Sequence, residues 1–425
     1  MKPVTLVIVG AGSRGTTYAN FALAHPERAK VVGVAEPREP YRTSIVERHN
    51  LERDQIFTDW RQVAERSRFA DAVVIATQDQ MHVEPAETFA DLGYHILLEK
   101  PMAPDVEGCR RIVAAVKRND ILFSVCHVLR YTNYTQKLKE ILEAGTIGDI
   151  VGLQRLEPVG FWHQAHSYVR GNWRREDMSS FMLLTKSCHD LDWIRYIMNT
   201  SCQSVSSFGS LKHFREEESP KGATDRCLDC PVEPTCPYSA KRIYLTALER
   251  GHKGWPLTVL TPEPTQESVL TALREGPYGR CVYKSDNDVV DHQVVTMDFQ
   301  GRRTASFTMM AFTEMRHRET RIFGTRGELY GDGSVIEHYD FLTDHRERID
   351  TSASDASILG GHGGGDYGLM SHFVQAIAEE NPDWILSGID ETLESHLMVF
   401  AAERARREGR VIALDGGSHG DEVTQ

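Results

Sequence analysis

Residues 4–15 of the chain read VTLVIVGAGSRG, an apolar run that leads directly into the pattern G-x-G-x-x-G at Gly10, Gly12 and Gly15. The pattern is weak in isolation, but this copy follows a predicted strand and precedes a predicted helix. Gly10 permits a tight turn, Gly12 lets a phosphate approach the backbone, and Gly15 lets the helix pack on the strand. The helix amino terminus, near Ser13 and Arg14, offers N–H groups to an anion. The stretch therefore predicts a turn that binds the pyrophosphate of a dinucleotide.

An acidic residue follows at the position that such a turn requires. Glu36 ends the next apolar run, one predicted helix and one predicted strand beyond Gly15. A carboxylate at this point binds the ribose 2′-hydroxyl, which favours NAD as the cofactor. Arg38, two positions further on, is of the type that accepts a 2′-phosphate, so NADP stays open as an alternative.

Up to residue 130, short β-branched runs alternate with longer helical patterns. This alternation predicts βαβ units, hence an α/β Rossmann domain at residues 1–130 whose doubly wound parallel sheet has helices on both faces. The predicted strands are Val4–Val9, Val31–Ala35, Ala72–Ala76, His95–Glu99 and Ile121–Cys126, and the predicted helices are Thr16–Ala24, Tyr41–Arg48, Val83–Leu92 and Val106–Arg118.

After residue 130 the pattern changes and predicts a second, α+β domain at residues 131–425. A strand at Val151–Glu157 and a helix at Cys188–Met198 come first. From Val289 onwards, four strand-like runs separated by turn residues predict an antiparallel meander. A cysteine-rich segment, at about residues 216–285, fits neither pattern and is interpreted as a weakly structured insertion. The meander strands are Val289–Phe299, Thr304–Phe312, Thr320–Phe323 and Glu328–Tyr330, and the predicted closing helices are Leu369–Glu379 and Thr392–Glu408.

Composition excludes several classes of function. The formal charge of −13, with no basic stretch, disfavours a nucleic-acid partner. No apolar run approaches the roughly 20 residues that span a bilayer, so no membrane association is expected. The first apolar run is too short for a signal peptide. We therefore expect a cytoplasmic protein whose eight cysteines are thiols or metal ligands rather than disulfides.

Lys100 follows the predicted strand His95–Glu99, at the sheet edge where ligands of open α/β sheets bind. There it can take a hydroxyl proton as hydride leaves for a nicotinamide. With the glycine turn, the stretches Thr77-Gln-Asp-Gln-Met-His82 and Glu99-Lys-Pro-Met-Ala103 resemble the glucose–fructose oxidoreductase, inositol dehydrogenase and MocA (Gfo/Idh/MocA) family. The resemblance continues through Arg130-Tyr131 and covers most of the chain apart from the insertion.

The resemblance implies an NAD(P)-dependent oxidoreductase of sugars or cyclitols that forms homo-oligomers. It implies a second domain built on a large, mostly antiparallel sheet whose face meets the nicotinamide. The resemblance also implies that Lys100 is a catalytic residue. The predicted cofactor-binding residues, with the glycine turn, Glu36 and Arg38 already described, extend to Thr77, Gln78, His82, Glu99 and Lys100.

A histidine resembles the second proton-handling residue of the family. His189 matches the histidine of its D-x-G-x-H-x-x-D motif, and Asp192 matches the final acid, one helical turn later. Two positions depart from the motif: Thr185 replaces the first Asp, and Ser187 replaces the Gly. These departures put a simple inositol-dehydrogenase reaction in doubt, and Lys186 is a candidate for the missing polar group.

Two polar loops predict the substrate site. Sugars bind to aromatic platforms combined with planar hydrogen-bonding groups. The loop from Trp162 to Trp173 supplies such groups, and Arg170 adds a cation that suits an anionic substrate. A glycine-rich loop around His362 allows close backbone approach to a ligand. With Lys186 and Asp192, the predicted substrate-binding residues are His163, His166, Arg170, Trp173 and His362.

The insertion contains the spacing C-x₂-C-x₅-C at Cys227, Cys230 and Cys236. Three close thiolates in a reducing compartment predict a tetrahedral structural zinc site. Cys281 is the best candidate for the fourth ligand, with His213 and His252 as weaker ones. An iron–sulfur cluster is an alternative, although the spacing is not that of a ferredoxin.

Together these patterns predict hydride transfer between a nicotinamide and a hydroxyl of a sugar, sugar derivative or cyclitol. The expected partner of the protein is this small-molecule substrate. Two alternatives remain: a glycoside hydrolase or lyase that acts by transient oxidation and elimination, and an NAD-binding sensor without catalysis. Lys100 and His189 argue against the sensor.

Overall fold

The computed structural model describes residues 2–352 and 361–414, except for the side chains of residues 361 and 362. Its first sheet has six parallel strands in the order β3-β2-β1-β4-β5-β6. The strands are β1 (Val4–Val9), β2 (Ala29–Ala35), β3 (Ile56–Phe57), β4 (Ala72–Ile75), β5 (His95–Leu98) and β6 (Phe123–Val125). This order belongs to a Rossmann fold, with its switch point between β1 and β4. The predicted parallel sheet is confirmed, and the short strand β3 is an addition to it.

Helices cover both faces of this sheet, and its strands are apolar because neither face meets water. Val73 and Val74 illustrate this, because these neighbours on β4 point to opposite faces and are both fully buried. The helices are α1 (Ser13–Ala24), α2 (Glu39–His49), α3 (Trp60–Ala64), α4 (Val83–Asp91) and α5 (Val106–Asn119). Helix α1 begins earlier than predicted, immediately after Gly12.

The second sheet has nine strands in the order β14-β13-β12-β11-β7-β10-β9-β8-β15. Its pairings are antiparallel, except that β7 and β10 are parallel. The large, mostly antiparallel sheet is thus confirmed. Its strands are β7 (Ile150–Pro158), β8 (Cys202–Ser210), β9 (His292–Phe299), β10 (Arg303–Met310), β11 (Glu319–Gly324), β12 (Gly327–Gly331), β13 (Val335–Asp340), β14 (His345–Asp350) and β15 (Ile412–Ala413).

The predicted meander is wrong at one pairing. Strands β9 and β10 pair as neighbours, and so do β11 and β12, but β10 and β11 do not. Strand β7 lies between them, parallel to β10 and antiparallel to β11. A pairing between segments so distant along the chain leaves no local signal, so turn residues alone could not reveal it.

One face of the second sheet packs against helices, where Trp193 and Val399 are buried. The opposite face is exposed, and includes the cross-strand pair Phe208 and Val294. The helices after residue 130 are α6 (Asn133–Glu143), α7 (Phe161–His163), α8 (Met182–Thr185), α9 (Cys188–Met198), α10 (Thr246–Glu249), α11 (Leu257–Leu260), α12 (Gln266–Glu275), α13 (Gly365–Glu379) and α14 (Ile389–Glu408). Of these, α13 packs on the core of the first sheet. Across the described ranges, no helix combines the length and apolarity needed to cross a membrane.

The insertion is better structured than the sequence predicts. Helices α10, α11 and α12 enclose a core that includes Tyr244, Leu257 and Leu273, each fully buried. These apolar residues are spaced among prolines and charges, which hides their periodicity in the sequence. The insertion is therefore a packed unit rather than a weakly structured loop.

Candidate active site

The glycine turn has the geometry of a phosphate site. Gly10 adopts φ +88°, and a Cβ there would lie 2.6 Å from the carbonyl oxygen of Ala76. A Cβ on Gly15 would lie 1.9 Å from the carbonyl oxygen of Gly10. Gly12 is the N-cap of α1, and no side chain caps this helix. The helix amino terminus can therefore receive an anion, which fits a dinucleotide pyrophosphate.

Glu36 is buried beside this turn and is already hydrogen-bonded. Its carboxylate accepts hydrogen bonds from the backbone N–H of Ala11 at 2.8 Å and from the Arg38 guanidinium at 2.7 and 2.9 Å. Burial opposes ionisation, but these bonds from Arg38 and the backbone hold the pKa of Glu36 below its usual value. A negative carboxylate at the end of β2 fits a ribose hydroxyl, although Arg38 must share it.

Arg14 connects the turn to the segment that contains Lys100. Its Nε donates to Glu99 at 2.6 Å, and its Nη2 donates to Asp366 from helix α13. Glu99 also accepts from the Tyr18 hydroxyl and, through its other oxygen, from the Lys100 backbone N–H at 2.8 Å. Arg14 and Glu99 thus fix the backbone of Lys100 through side chains.

The remaining predicted cofactor residues lie on the next loop. Gln78 is exposed, and the Thr77 hydroxyl donates to the carbonyl of Met81 at 3.1 Å. His82 is fully buried, with Nδ1 2.8 Å from the Pro101 carbonyl oxygen and Nε2 3.3 Å from that of Thr77. His82 therefore ties the Thr77 and Lys100 loops together, and its direct contact with a cofactor stays a prediction.

Lys100 contacts the segment that precedes His189. The Lys100 Nζ donates to the backbone carbonyl of Thr185 at 2.6 Å. The Thr185 hydroxyl instead points to carbonyls of its own helix, Met182 at 3.4 Å and Phe181 at 3.5 Å. The residue that departs from the family motif therefore contacts the lysine through its backbone.

His189 lies in the first turn of α9 and is 7% exposed. Its ring is 5.6 Å from that of His127, which follows β6 and is absent from the residues predicted above. Burial lowers the pKa of His127 to about 3, although its Nε2 lies 3.6 Å from the Asp192 carboxylate. A neutral imidazole thus lies beside His189.

A network of buried charged side chains includes Asp190, the residue that follows His189. Lys186 Nζ lies 2.9 Å from Glu157, and Arg318 lies 2.7 Å from the other oxygen of Glu157. Arg318 and Arg155 both donate to Asp190, at 2.9 and 2.8 Å. Burial lowers the pKa of Lys186, against the opposing effect of Glu157. Three cations and two anions leave this cluster with a net positive charge, which suits an electron-rich ligand.

Asp192 pairs with an arginine from another segment of the chain. Its two oxygens accept a bidentate pair of hydrogen bonds from Arg130, each 2.8 Å long, and Ser395 adds a third at 3.0 Å. Both Asp192 and Arg130 are buried, at 1% and 0% exposure. The structure therefore gives Asp192 a packing partner inside the protein, and its predicted contact with substrate stays untested.

Aromatic rings surround two of the predicted histidines. Trp255 of the insertion packs on His163 at a ring distance of 5.1 Å and on His166 at 5.4 Å. His166 also hydrogen-bonds the Tyr244 hydroxyl at 2.8 Å. Burial lowers the pKa of His166 to about 3 and that of His163 below its ordinary value. Trp173 is 40% exposed at the end of this loop.

Arg170 faces the cavity of the insertion, and its predicted contact with an anionic substrate stays a prediction. It is fully buried beside the insertion, where its guanidinium donates to the carbonyls of Arg280 and Tyr238, both at 2.8 Å. It lines a cavity with Cys227 rather than the surface near His163. The side chain of His362 lies outside the described residues, so its predicted role has no structural counterpart here.

The four predicted metal-binding cysteines line this same cavity. All are free thiols. As the side chains stand, no three His, Cys, Asp or Glu residues in the described part of the chain form a group that could hold a metal ion. His213 instead packs among Tyr283 and other rings, and His252 contacts the Trp255 carbonyl oxygen.

Of the residues in this region that the sequence analysis missed, all but His127 have no local signal in the sequence. Glu157 and Arg318 belong to a strand and a loop that are far apart in the sequence, and their pairing depends on the unpredicted position of β7. Trp255 lies in the insertion, which the sequence analysis interprets as weakly structured. His127 follows the predicted strand Ile121–Cys126 at the ligand-binding edge, so its position alone could have identified it.

Two family models match the chain. One, described as an oxidoreductase family with an NAD-binding Rossmann fold, matches residues 4–127. The other, described as the C-terminal alpha/beta domain of an oxidoreductase family, matches residues 139–414. Together they cover both sheets and most of the chain.

Individual similarities are more distant. Myo-inositol 2-dehydrogenase of Thermotoga maritima is 25% identical over 48% of this chain and 58% of its own length. The 2,7-anhydro-N-acetylneuraminate hydratase of Escherichia coli is 25% identical over 48% of this chain and 53% of its own length. The chain thus spans little more than half of each. A levoglucosan dehydrogenase solved with NADH and levoglucosan shares the fold, with a TM-score of 0.69, 17% identity, and 97% and 99% of the two chains covered.

Proposed function

This chain belongs to the Gfo/Idh/MocA family of NAD-binding oxidoreductases, and from that premise we propose that Lys100 and His189 handle the proton while a hydroxyl of a sugar, sugar derivative or cyclitol is oxidised or formed. The observation that carries the proposal is the Lys100 Nζ at the carboxyl edge of the parallel sheet, 2.6 Å from the carbonyl of Thr185 on the segment that leads to His189. The glycine turn would hold a dinucleotide, which would supply the chemistry of hydride transfer.

Residues of the chain account for cofactor binding, for the position of Lys100 and for proton transfer. The α1 amino terminus would bind the pyrophosphate, and Glu36 would orient a ribose through its hydroxyl. The Glu99 carboxylate holds the Lys100 backbone, and the Thr185 carbonyl holds its amine. Lys100 is therefore fixed from both sides, and its amine can exchange a proton with the reacting hydroxyl.

The surroundings favour a polar, electron-rich substrate. Lys186 and Arg318 supply cationic donors from the charged network, and the rings around His163 supply an apolar platform. Sugars and cyclitols present both hydroxyl groups and apolar ring faces, so they match this combination. The dehydrogenases of inositol and levoglucosan among the similar proteins support the same substrate class.

A second candidate function is transient oxidation followed by elimination, with the hydride returned at the end. Thr185 in place of the acid is the observation that favours it, because it removes a carboxylate from the motif of simple dehydrogenases. A hydratase among the similar proteins supports this alternative. In such a reaction the proton-handling groups act on the carbon next to the new carbonyl as well as on the hydroxyl.

Turnover with NAD and a panel of sugars, cyclitols and glycosides tests the proposal. We expect NADH absorbance to rise in step with oxidised product for at least one compound. Substrate loss without NADH accumulation would favour the transient mechanism. If NAD binds but no compound is turned over, both enzymatic proposals would be rejected in favour of an NAD-binding sensor.

NAD is expected to bind more tightly than NADP, because Glu36 is ionised where a 2′-phosphate would lie. A repulsion of about 1.4 kcal/mol already gives a tenfold difference in affinity, so we expect about tenfold or more. Titration of both cofactors by calorimetry measures it. Glu36→Ala should narrow the gap, while Glu39→Ala, an exposed acid on α2, should leave it unchanged. NADP preference in the unchanged protein would mean that Arg38 determines the choice.

We also propose a cytoplasmic location, a homo-oligomeric state and zinc as a second cofactor. A cytoplasmic location accords with eight free thiols, and cell fractionation measures it. Homo-oligomerisation through the exposed sheet face, around Phe208 and Val294, accords with its uncovered apolar side chains, and light scattering measures it. Zinc, held by the cysteines of the insertion, would be structural rather than catalytic.

A further inference from the structure

Four cysteines from two distant stretches converge on one cavity of the insertion. Cys227, Cys230 and Cys236 come from one short stretch, and Cys281 comes from much later in the chain. An antiparallel bridge between Arg226 and Arg280 brings them together, and the Cys281 N–H donates to the carbonyl of the residue before Arg226 at 2.8 Å. The cavity they line measures about 20 Å³, the space of a single water-sized sphere.

Arg170 provides the second, independent observation. This guanidinium is fully buried, lines the cavity, and lies 3.4 Å from the Cys227 sulfur through Nη2. Its Nη1 is buried and has no hydrogen-bond partner among the described residues. A buried cation with an unused donor requires a compensating negative group. Glu233, the carboxylate among the residues that line the cavity, instead accepts from Ser239 and lies 3.6 Å from Lys241. The sulfurs are therefore the groups that can supply the missing charge.

We propose that Cys227, Cys230, Cys236 and Cys281 bind one zinc ion as four thiolates, with Arg170 offsetting part of the negative charge. Each coordinating thiol releases its proton on binding, so Zn²⁺ and four thiolates carry a net charge of −2. A cysteine has one side-chain torsion before its sulfur, so each sulfur can take another staggered position while the backbone stays in place. The single-ion size of the cavity favours zinc over a polynuclear iron–sulfur cluster.

The site also connects the insertion to the predicted substrate wall. Arg170 ends the π-helix Gln164–Arg170, which contains His166 and follows His163. On the other side of the insertion, Trp255 and Tyr244 contact those histidines. Zinc would thus fix the insertion against this segment. Metal binding itself does not depend on the proposed reaction, so its test needs no substrate.

Metal analysis of the full-length protein after dialysis against a chelator tests the proposal. We expect about one zinc per chain, and in the Co²⁺-reconstituted protein the visible absorption of a tetrahedral thiolate site. Cys236→Ser should lose most of the metal. Cys202→Ser, which alters a buried cysteine of strand β8, is the matched control and should retain it. No metal, iron with sulfide, or full zinc content in Cys236→Ser would overturn the proposal.

A cysteine variant that misfolds would lose metal for a trivial reason, so Arg170→Met supplies a second test. It keeps all four ligands and removes the adjacent charge, together with the hydrogen bonds from Arg170 to the carbonyls of Arg280 and Tyr238. Removal of supporting groups around metal ligands typically lowers affinity about 10–100-fold, and competition with a chromophoric chelator measures this. Unchanged zinc affinity in a folded Arg170→Met protein would overturn the role given to Arg170.

Discussion

Replacing Lys100 with methionine is expected to lower the turnover rate by about 10²–10⁴-fold, the range of a general acid–base group, while NAD affinity stays nearly unchanged. The two effects separate because the amine contacts the Thr185 carbonyl, whereas the pyrophosphate site is the separate turn at Gly10–Gly15. The Lys100 backbone remains fixed by Glu99 in the variant, since that bond uses its N–H. Methionine retains much of the side-chain volume. Steady-state turnover and calorimetric NAD titration measure the two quantities.

Lys117→Met is the matched control, because this exposed lysine pairs with the exposed Asp390. It should change neither turnover nor NAD affinity. His189→Ala should cost a factor comparable to Lys100→Met, and the double variant should be little worse than either single one, since groups that act as a unit are not additive. Near-normal turnover in Lys100→Met, or outright loss of NAD binding, would refute the assignment of Lys100.

The first sheet is predictable because its signals are local. Strands β1, β4 and β5 are predominantly apolar, and the glycine pattern marks the turn after β1. Lys100 can be found for the same reason, since a residue that follows a buried parallel strand lies at the ligand-binding edge. The exact division of the chain at residue 130 remains a prediction.

The second sheet and its charged network are not predictable in the same way. Strand β7 enters between β10 and β11, and Glu157 reaches Arg318 only through that placement. Sequence spacing puts Asp192 one helical turn from the site histidine, but it cannot show that Arg130, from a different segment, binds both carboxylate oxygens. Proximity to two histidines in the sequence assigns Arg170 to substrate, whereas in the structure the π-helix turns it toward the cysteines.

Asp190→Asn is expected to produce the largest loss of stability among single substitutions in this network. Asp190 is fully buried and accepts hydrogen bonds from two buried arginines, Arg155 and Arg318. Burial opposes its ionisation, but the two guanidinium groups hold the pKa of Asp190 below its usual value. Asparagine keeps the shape and removes the charge. Breaking a buried ion pair costs about 3–5 kcal/mol of unfolding free energy, because the remaining charges stay buried without compensation.

The chain offers a close control for this effect. Asp286 also accepts from two arginines, Arg174 at 2.8 Å and Arg280 at 2.9 Å, but it is 39% exposed. Water can replace its charge, so Asp286→Asn should cost only about 0–1 kcal/mol. Thermal unfolding with and without urea compares the two variants, at about 2–4 °C of melting temperature per kcal/mol for domains of about 150–250 residues. Equal shifts in both variants would mean that burial does not determine the strength of these pairs, and that the network around Lys186 is not held by its buried charges.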